Sequence, residues 1–161
     1  MGGGSRASRS SYSKTISEHK PLFEGKQEIH RENLPKKRVF ISFHMENEAQ
    51  IKLLRHQARS DNFNLEFTDY SVKEPFDGNW KRKCEERIRQ SSVVVCMIGA
   101  ETYKRPAVIW ELNKAYEMGK PVVGVRIHKN RNDPIPTTLL RNKAKIINWN
   151  MEEIQNALDE C

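Results

Sequence analysis

Glu111 is the carboxylate in this sequence that is best placed to do chemistry. It lies in segment 107–127, which reads AVIWELNKAYEMGKPVVGVRI and predicts a short helix, a stop at Gly119 and a buried strand. On a helical projection of about 100° per residue, Glu111 borders the buried stripe and is not centred on the polar side. Two interpretations stay open: a glutamate favoured near a helix N-terminus by the helix dipole, or a carboxylate directed into a pocket.

Two short groups of side chains could line such a pocket, one after each of two predicted strands. The first group combines an aromatic ring with an imidazole, and the second combines an aromatic ring with two cations. The two cations suit a pyrophosphate group, although a solvated loop would have the same composition. The candidates are Phe43, His44, Tyr103, Lys104 and Arg105.

Common nucleotide-binding and catalytic signatures are missing from the sequence. It contains no GxxxxGK[ST] loop, no GxGxxG after a strand and no GxSxG turn. The cysteines Cys84, Cys96 and Cys161 form no CxxC pair, so we expect reduced thiols and no metal site. Phosphate groups would therefore be held by side chains or by backbone amides.

The order of predicted elements indicates an α/β fold that would bring these loops together. Strands are predicted at 38–43, 63–67, 92–99, 121–127 and 144–149, and helices at 44–60, 80–90, 107–118 and 151–160. This alternation is typical of a parallel sheet with helices on both faces, and five strands fit the flavodoxin-like order 2-1-3-4-5. Ligands of such folds bind beyond the carboxyl ends of the strands, here between strands one and three.

The N-terminal segment differs in composition from the rest. Residues 1–37 hold eight basic and four acidic side chains, which is over half of the net charge of +7. We expect residues 1–35 to form a basic, disordered arm that is dispensable for folding. The remainder carries little net charge, which argues against a specific nucleic-acid partner.

No apolar run is long enough for a membrane helix and no secretory signal is visible, so a cytoplasmic protein is expected.

Two stretches resemble one protein family. RVFISFH at 38–44 is similar to the first box of TIR domains. VVVCMIGAETYKRPAVIWELNKAYEMGKPVVGVRI at 93–127 resembles the ThsB-like TIR proteins of Thoeris antiphage defence. The resemblance covers about residues 36–128 well and the C-terminal part loosely, so residues 36–161 are identified as one TIR-like domain.

The resemblance implies an enzyme that cleaves NAD⁺ at the bond between nicotinamide and ribose. It further implies an NAD⁺ nucleosidase or cyclic ADP-ribose-type synthase, whose ADP-ribose-derived product signals to an effector protein. Glu111 matches the family's catalytic glutamate, and NAD⁺ is the substrate, with no cofactor and no metal. Association of copies through TIR–TIR contacts and a phage-derived activator are also implied.

Two rival functions stay open. Many enzymatic members have a tryptophan four residues before the glutamate, where this chain has Ala107, and this favours a non-catalytic TIR-like interaction module. A nucleoside deoxyribosyltransferase-like enzyme would share the sheet order and a ribose-handling glutamate.

We expect Trp110, on the polar side of its helix, to be partly exposed and to contribute to an interface between chains. Trp80 is expected in the core.

Overall fold

The computed structural model describes residues 35–68 and 78–161, which form one layered α/β unit. The predicted arm at 1–35 lies outside the described residues except for Pro35. The strands are β1 (Lys37–Ser42), β2 (Leu65–Phe67), β3 (Val93–Ile98), β4 (Val122–Arg126) and β5 (Lys145–Asn148). The helices are α1 (Glu48–Ser60), α2 (Gly78–Gln90), α3 (Pro106–Glu117), α4 (Thr137–Arg141) and α5 (Met151–Asp159).

All five strands are parallel and lie in the order β2-β1-β3-β4-β5. This is the predicted flavodoxin-like order, and it places β1 and β3 side by side, with Ser42 opposite Cys96. Strand β3 is the centre of the sheet, and all six of its residues are buried. The connections from β1 and from β3 leave the sheet in opposite directions, so the switch point lies between their carboxyl ends.

Strand alternation divides the core into two layers. Val39 and Ile41 point to the face covered by α1 and α5, whereas Phe40 points to the face covered by α2, α3 and α4. Side chains of successive strand residues point to opposite faces, so this division follows directly from the sequence. The two layers are called below the α1/α5 face and the α2/α3 face.

The predicted helical stripes are buried as expected. Ile51, Leu54 and Ala58 of α1 are 2% exposed or less. Helix α4 has five residues and lies between the predicted strands 121–127 and 144–149, where the sequence pattern predicts no helix. Its Leu139 is fully buried against the α2/α3 face, so tertiary packing explains a helix too short to form alone. Within the described ranges, none of the helices combines the length and apolar character of a membrane-spanning segment.

Candidate active site

A buried threonine positions helix α3 after strand β3. The Thr102 hydroxyl accepts a hydrogen bond from the Gly99 N–H at 2.9 Å and donates one to the Met97 carbonyl at 3.2 Å. Arg105 then adopts an extended backbone conformation and caps α3. Pro106 occupies the first turn of the helix, where the backbone N–H that proline lacks would have no helical partner. This fixes the start of the helix, and Glu111 falls in its second turn.

Glu111 lies inside the α2/α3 face. Its side chain is only 2% exposed, which is deeper than the border position that the helical projection predicted. The Ser42 hydroxyl, at the end of β1, donates a hydrogen bond to Glu111 Oε2. The Cys84 thiol of α2 donates a weaker one to Oε1 at 3.7 Å. The carboxylate is therefore enclosed by groups from three elements of the fold.

The negative charge of Glu111 also influences a neighbouring thiol. Burial raises the pKa of the fully buried Cys96 far above its usual range, and the nearby Glu111 carboxylate raises it further. Cys96 therefore stays a neutral thiol at physiological pH. Because an uncharged, buried thiol is a poor nucleophile, Cys96 packs beside the carboxylate and does not compete with it chemically.

Removing the Ser42 hydroxyl is expected to destabilise the fold. In Ser42→Ala the buried Glu111 loses one hydrogen-bond donor, and bonds to charged groups contribute about 1.5–3 kcal/mol. Ser91→Ala is the matched control, since Ser91 is equally buried but donates to the neutral Arg87 carbonyl at 2.8 Å. That variant should lose only about 0.5–1.5 kcal/mol. Urea unfolding measures both, and equal losses would contradict a charged acceptor at Ser42.

The predicted cations and the histidine meet above this edge of the sheet. Arg105 lies between two carboxylates, 3.5 Å from Glu101 and 3.9 Å from Glu46. Lys104 also pairs with Glu101, and His44 Nδ1 lies 3.4 Å from Glu46 Oε2. The Arg105–Glu46 ion pair therefore joins the loop after β3 to the loop after β1, and His44 lies beside it in the same polar network.

This network sets the protonation of its members. Burial lowers the pKa of His44, and the Arg105 guanidinium lowers it further against the opposing effect of Glu46 and Glu101. The hydrogen bond from Lys104 lowers the pKa of Glu101 and raises that of Lys104. His44 is therefore a neutral imidazole at pH 7, whereas Lys104 and Glu101 stay charged.

The Gly99 backbone also lies close to the side chain of Asn47. A Cβ atom built on Gly99 would lie 2.7 Å from Asn47 Nδ2, closer than side chains normally approach. Gly99 follows β3 and Asn47 follows β1, so the glycine permits the loops to pack at the switch point. Neither Asn47 nor Ser42 is predicted from the sequence as a contact of this site.

The two predicted aromatic candidates occupy different places, one packed against the core and one at the surface. Phe43 packs against the α1/α5 core, so it is on the opposite face of the sheet from Glu111. Tyr103 is 41% exposed on the short 3-10 turn Thr102–Lys104. The structure therefore joins His44, Lys104 and Arg105 in one network, and it places Phe43 on the other face of the sheet from Glu111.

The predicted surface tryptophan is half-buried. Trp110 packs on Trp80 with ring centroids 5.1 Å apart and planes tilted by 51°. The ammonium groups of Lys81 and Lys114 lie 5.8 Å and 5.7 Å from the Trp110 ring centroid. Trp80 is 1% exposed, which confirms its predicted place in the core. The part of Trp110 that stays accessible is thus flanked by two cations.

Solved structures support the fold. The TIR domain of the Toll-related receptor TRR-2 from Hydra magnipapillata aligns with a TM-score of 0.53 at 13% identity, over 76% of this chain and 91% of that chain. A conserved protein from Enterococcus faecalis V583 aligns with a TM-score of 0.52 at 12% identity, over 78% and 98%. A CMP N-glycosidase from Clostridium botulinum aligns with a TM-score of 0.49 at 17% identity, over 76% and 98%. That last similarity is too low to support a shared fold or function.

Sequence comparison identifies the family. No curated protein matches this chain at a significant level. The family model described as the TIR-like domain of the Thoeris protein ThsB matches residues 40–132, which is more than half of the chain. The match extends from β1 through α3 and β4, and so includes Ser42, the paired loops and Glu111. This chain therefore belongs to the family of ThsB TIR-like domains.

Proposed function

We propose that this chain is an NAD⁺-cleaving TIR-like enzyme that makes an ADP-ribose-derived signal in antiphage defence. The observation that carries the proposal is the Glu111 carboxylate, held by Ser42 beneath the switch point of the sheet, within the stretch that matches the family. An oriented, desolvated carboxylate is suited to stabilising positive charge that develops in a transition state. NAD⁺ would be the substrate, and the reaction requires no cofactor.

A single carboxylate is sufficient for this chemistry. The nicotinamide of NAD⁺ is a pyridinium, so when the C–N bond breaks, both electrons go to its ring nitrogen and it leaves neutral. No acid has to protonate the leaving group, unlike the alkoxide of an ordinary glycoside, which needs a second carboxyl group. Glu111 would bind the ribose hydroxyls and stabilise the oxocarbenium-like carbon. A water molecule, or another hydroxyl of the product, then adds to that carbon and releases a proton.

The cationic loop would bind the pyrophosphate. Lys104 and Arg105 are both partly exposed, and their partners Glu101 and Glu46 are also solvent-accessible. Exposed ion pairs contribute little, typically about 0–1 kcal/mol, so a pyrophosphate could replace these carboxylates at small cost. Neutral His44 would add a hydrogen bond without adding charge.

The enclosure of Glu111 requires an opening step. With its side chain 2% exposed, the carboxylate cannot contact a ribose unless the groups above it separate. We therefore propose that activation, by a phage-derived signal and by association of TIR-like domains, opens the site. This predicts that the isolated chain turns over slowly and that activity increases with association.

The same enclosure favours a second candidate, a TIR-like module that acts only by association. Ala107, where many enzymatic relatives have tryptophan, agrees with this candidate, as does the half-buried Trp110 flanked by lysines. In this case Glu111 would be a structural residue.

Chromatographic detection of nicotinamide separates the candidates. The purified chain is incubated with NAD⁺, alone and with lysate from phage-infected cells, and nicotinamide and the ADP-ribose-derived product are quantified. We expect release that increases in the infected lysate. Absence of release in both conditions, with retained self-association, would support the interaction module. Base exchange on deoxynucleosides without NAD⁺ cleavage would instead indicate a deoxyribosyltransferase-like enzyme.

A further inference from the structure

Helix α3 carries a half-buried tryptophan between two cations, and the proposed reaction makes no use of this group. Trp110 packs on Trp80 of α2, and the ammonium groups of Lys81 and Lys114 lie 5.8 Å and 5.7 Å from its ring centroid. Lys114 pairs with Glu117 at 2.7 Å, whereas Lys81 has no ion-pair partner in the part of the chain that the structure describes. Trp110, Lys81 and Lys114 are called below the cationic tryptophan surface.

The cationic tryptophan surface is suited to anchoring a protein partner. Tryptophan is enriched among the residues that dominate the affinity of protein interfaces. Because Trp110 rests on Trp80, which is 1% exposed, its ring is ordered before a partner arrives, and this lowers the entropic cost of docking. The two ammonium groups beside the ring set the required charge, so the partner must present carboxylates.

The outer side of α5 presents such carboxylates. The helix sequence MEEIQNALD contains no basic residue, although the chain as a whole carries +7. Glu160 pairs with Lys145, whereas Glu152 and Glu153 have no ion-pair partner among the described residues. The four exposed acidic residues, called below the acidic α5 surface, are Glu152, Glu153, Asp159 and Glu160.

The two surfaces lie on opposite faces of the sheet. Helices α2 and α3 pack on one core layer, and Ile154 and Leu158 of α5 pack on the other. One copy of the chain therefore cannot join its own two surfaces, but a second copy can. Pairing of like surfaces would bring four lysines together, or eight carboxylates, and like charges in contact are costly. Only the pairing of unlike surfaces is complementary.

We propose that copies of this chain associate head to tail, with the cationic tryptophan surface of one copy on the acidic α5 surface of the next. The inference rests on the proposed activation by association and names the surfaces that would make the contact. Because the contact joins two different surfaces, a dimer still exposes one of each and can add further copies.

The position of the contact would couple association to the candidate active site. Helix α2 supplies the Cys84 thiol that donates to Glu111, and α3 carries Glu111 itself, next to Trp110. A copy that docks on Lys81 and Trp110 therefore contacts two of the elements that enclose the carboxylate. Docking at this place is suited to shifting those helices and opening the site.

Sedimentation velocity of the full-length chain tests the contact and needs no NAD⁺. Between about 1 and 100 µM we expect species larger than a dimer, which dissociate as salt increases from about 50 to 500 mM. Lys81→Glu and Glu153→Lys should each weaken association by at least about tenfold, because each places like charges opposite one another. Lys129→Glu is the matched control, since Lys129 is exposed in the loop after β4, outside both surfaces. It changes the net charge equally and should leave association within about twofold.

Mixing the two variants tests whether unlike surfaces pair. Lys81→Glu keeps the acidic α5 surface, and Glu153→Lys keeps the cationic tryptophan surface. An equimolar mixture should therefore form dimers that cannot grow, although each variant alone stays monomeric at the same concentration. Melting temperatures confirm that both variants are folded, which is expected because both side chains are exposed.

Three results would overturn the inference. A wild-type chain that stays monomeric up to about 100 µM would exclude the contact. Assembly that survives both substitutions, or a mixture that stays monomeric, would place the contact elsewhere. Loss of assembly after nuclease treatment would mean that nucleic acid on the cationic tryptophan surface joins the copies.

Nicotinamide release, measured on the same samples, separates this inference from the proposed activity. Release from a chain that stays monomeric would refute the contact and leave NAD⁺ cleavage standing. Head-to-tail assembly without release would support the contact and count against the enzyme.

Discussion

Glu111→Gln is expected to lower the rate of nicotinamide release from NAD⁺ by on the order of 10²-fold or more. The substitution preserves the size of the side chain and its ability to hydrogen-bond Ser42, and it removes only the negative charge. The negative charge of the carboxylate is what stabilises the positive charge that develops at the anomeric carbon, so its removal should slow the reaction. The measurement is NAD⁺ turnover under the activating condition.

Glu117→Gln is the matched control for this variant. Glu117 lies on the same helix, is exposed and pairs with Lys114 at 2.7 Å, so its loss should leave turnover nearly unchanged. Melting temperatures accompany both assays, and Glu111→Gln should stay folded because its amide can still bond Ser42 and Cys84. Undiminished turnover in Glu111→Gln would end the catalytic assignment, whereas unfolding would indicate a structural role.

Trp80→Ala is expected to have the largest effect on stability, lowering the free energy of unfolding by about 3–5 kcal/mol. Trp80 is 1% exposed and belongs to the same core cluster as Phe40 and Ile88, so truncation leaves a large cavity. Its loss also removes the packing partner of Trp110, at 5.1 Å. Denaturant unfolding measures the effect, with the fluorescence of Trp149 as the reporter that remains in both tryptophan variants.

Trp110→Ala provides the comparison on the other half of the same pair. Because Trp110 is half-buried, its truncation should cost less, about 1–2 kcal/mol. Its greater effect should be on association, if the predicted interface between chains uses this ring. Equal losses of stability in the two variants would contradict the difference in burial that the structure assigns to them.

The repeating patterns of the sequence were sufficient to predict the architecture. Ile51, Leu54 and Ala58 follow the helical period, and all three are buried as one stripe of α1. The apolar run at 92–99 predicts a strand, and β3 is buried along its whole length. These features depend on the 3.6- and 2-residue periods of helix and strand, which a single sequence displays directly. The same alternation could have placed Phe43 on the face of Ile41 and away from Glu111.

The surroundings of the candidate site depended on contacts between distant segments. The helical period placed Glu111 only at the border of a stripe, and its burial results from Ser42 of β1 and Cys84 of α2. The pairing of Lys104 with Glu101 is local, but Glu46 reaches Arg105 from a different loop. Periodicity determines which face of an element is buried. Which side chains meet there is decided by the order of the strands, because parallel strands bring the loops at their carboxyl ends together from far apart in the chain.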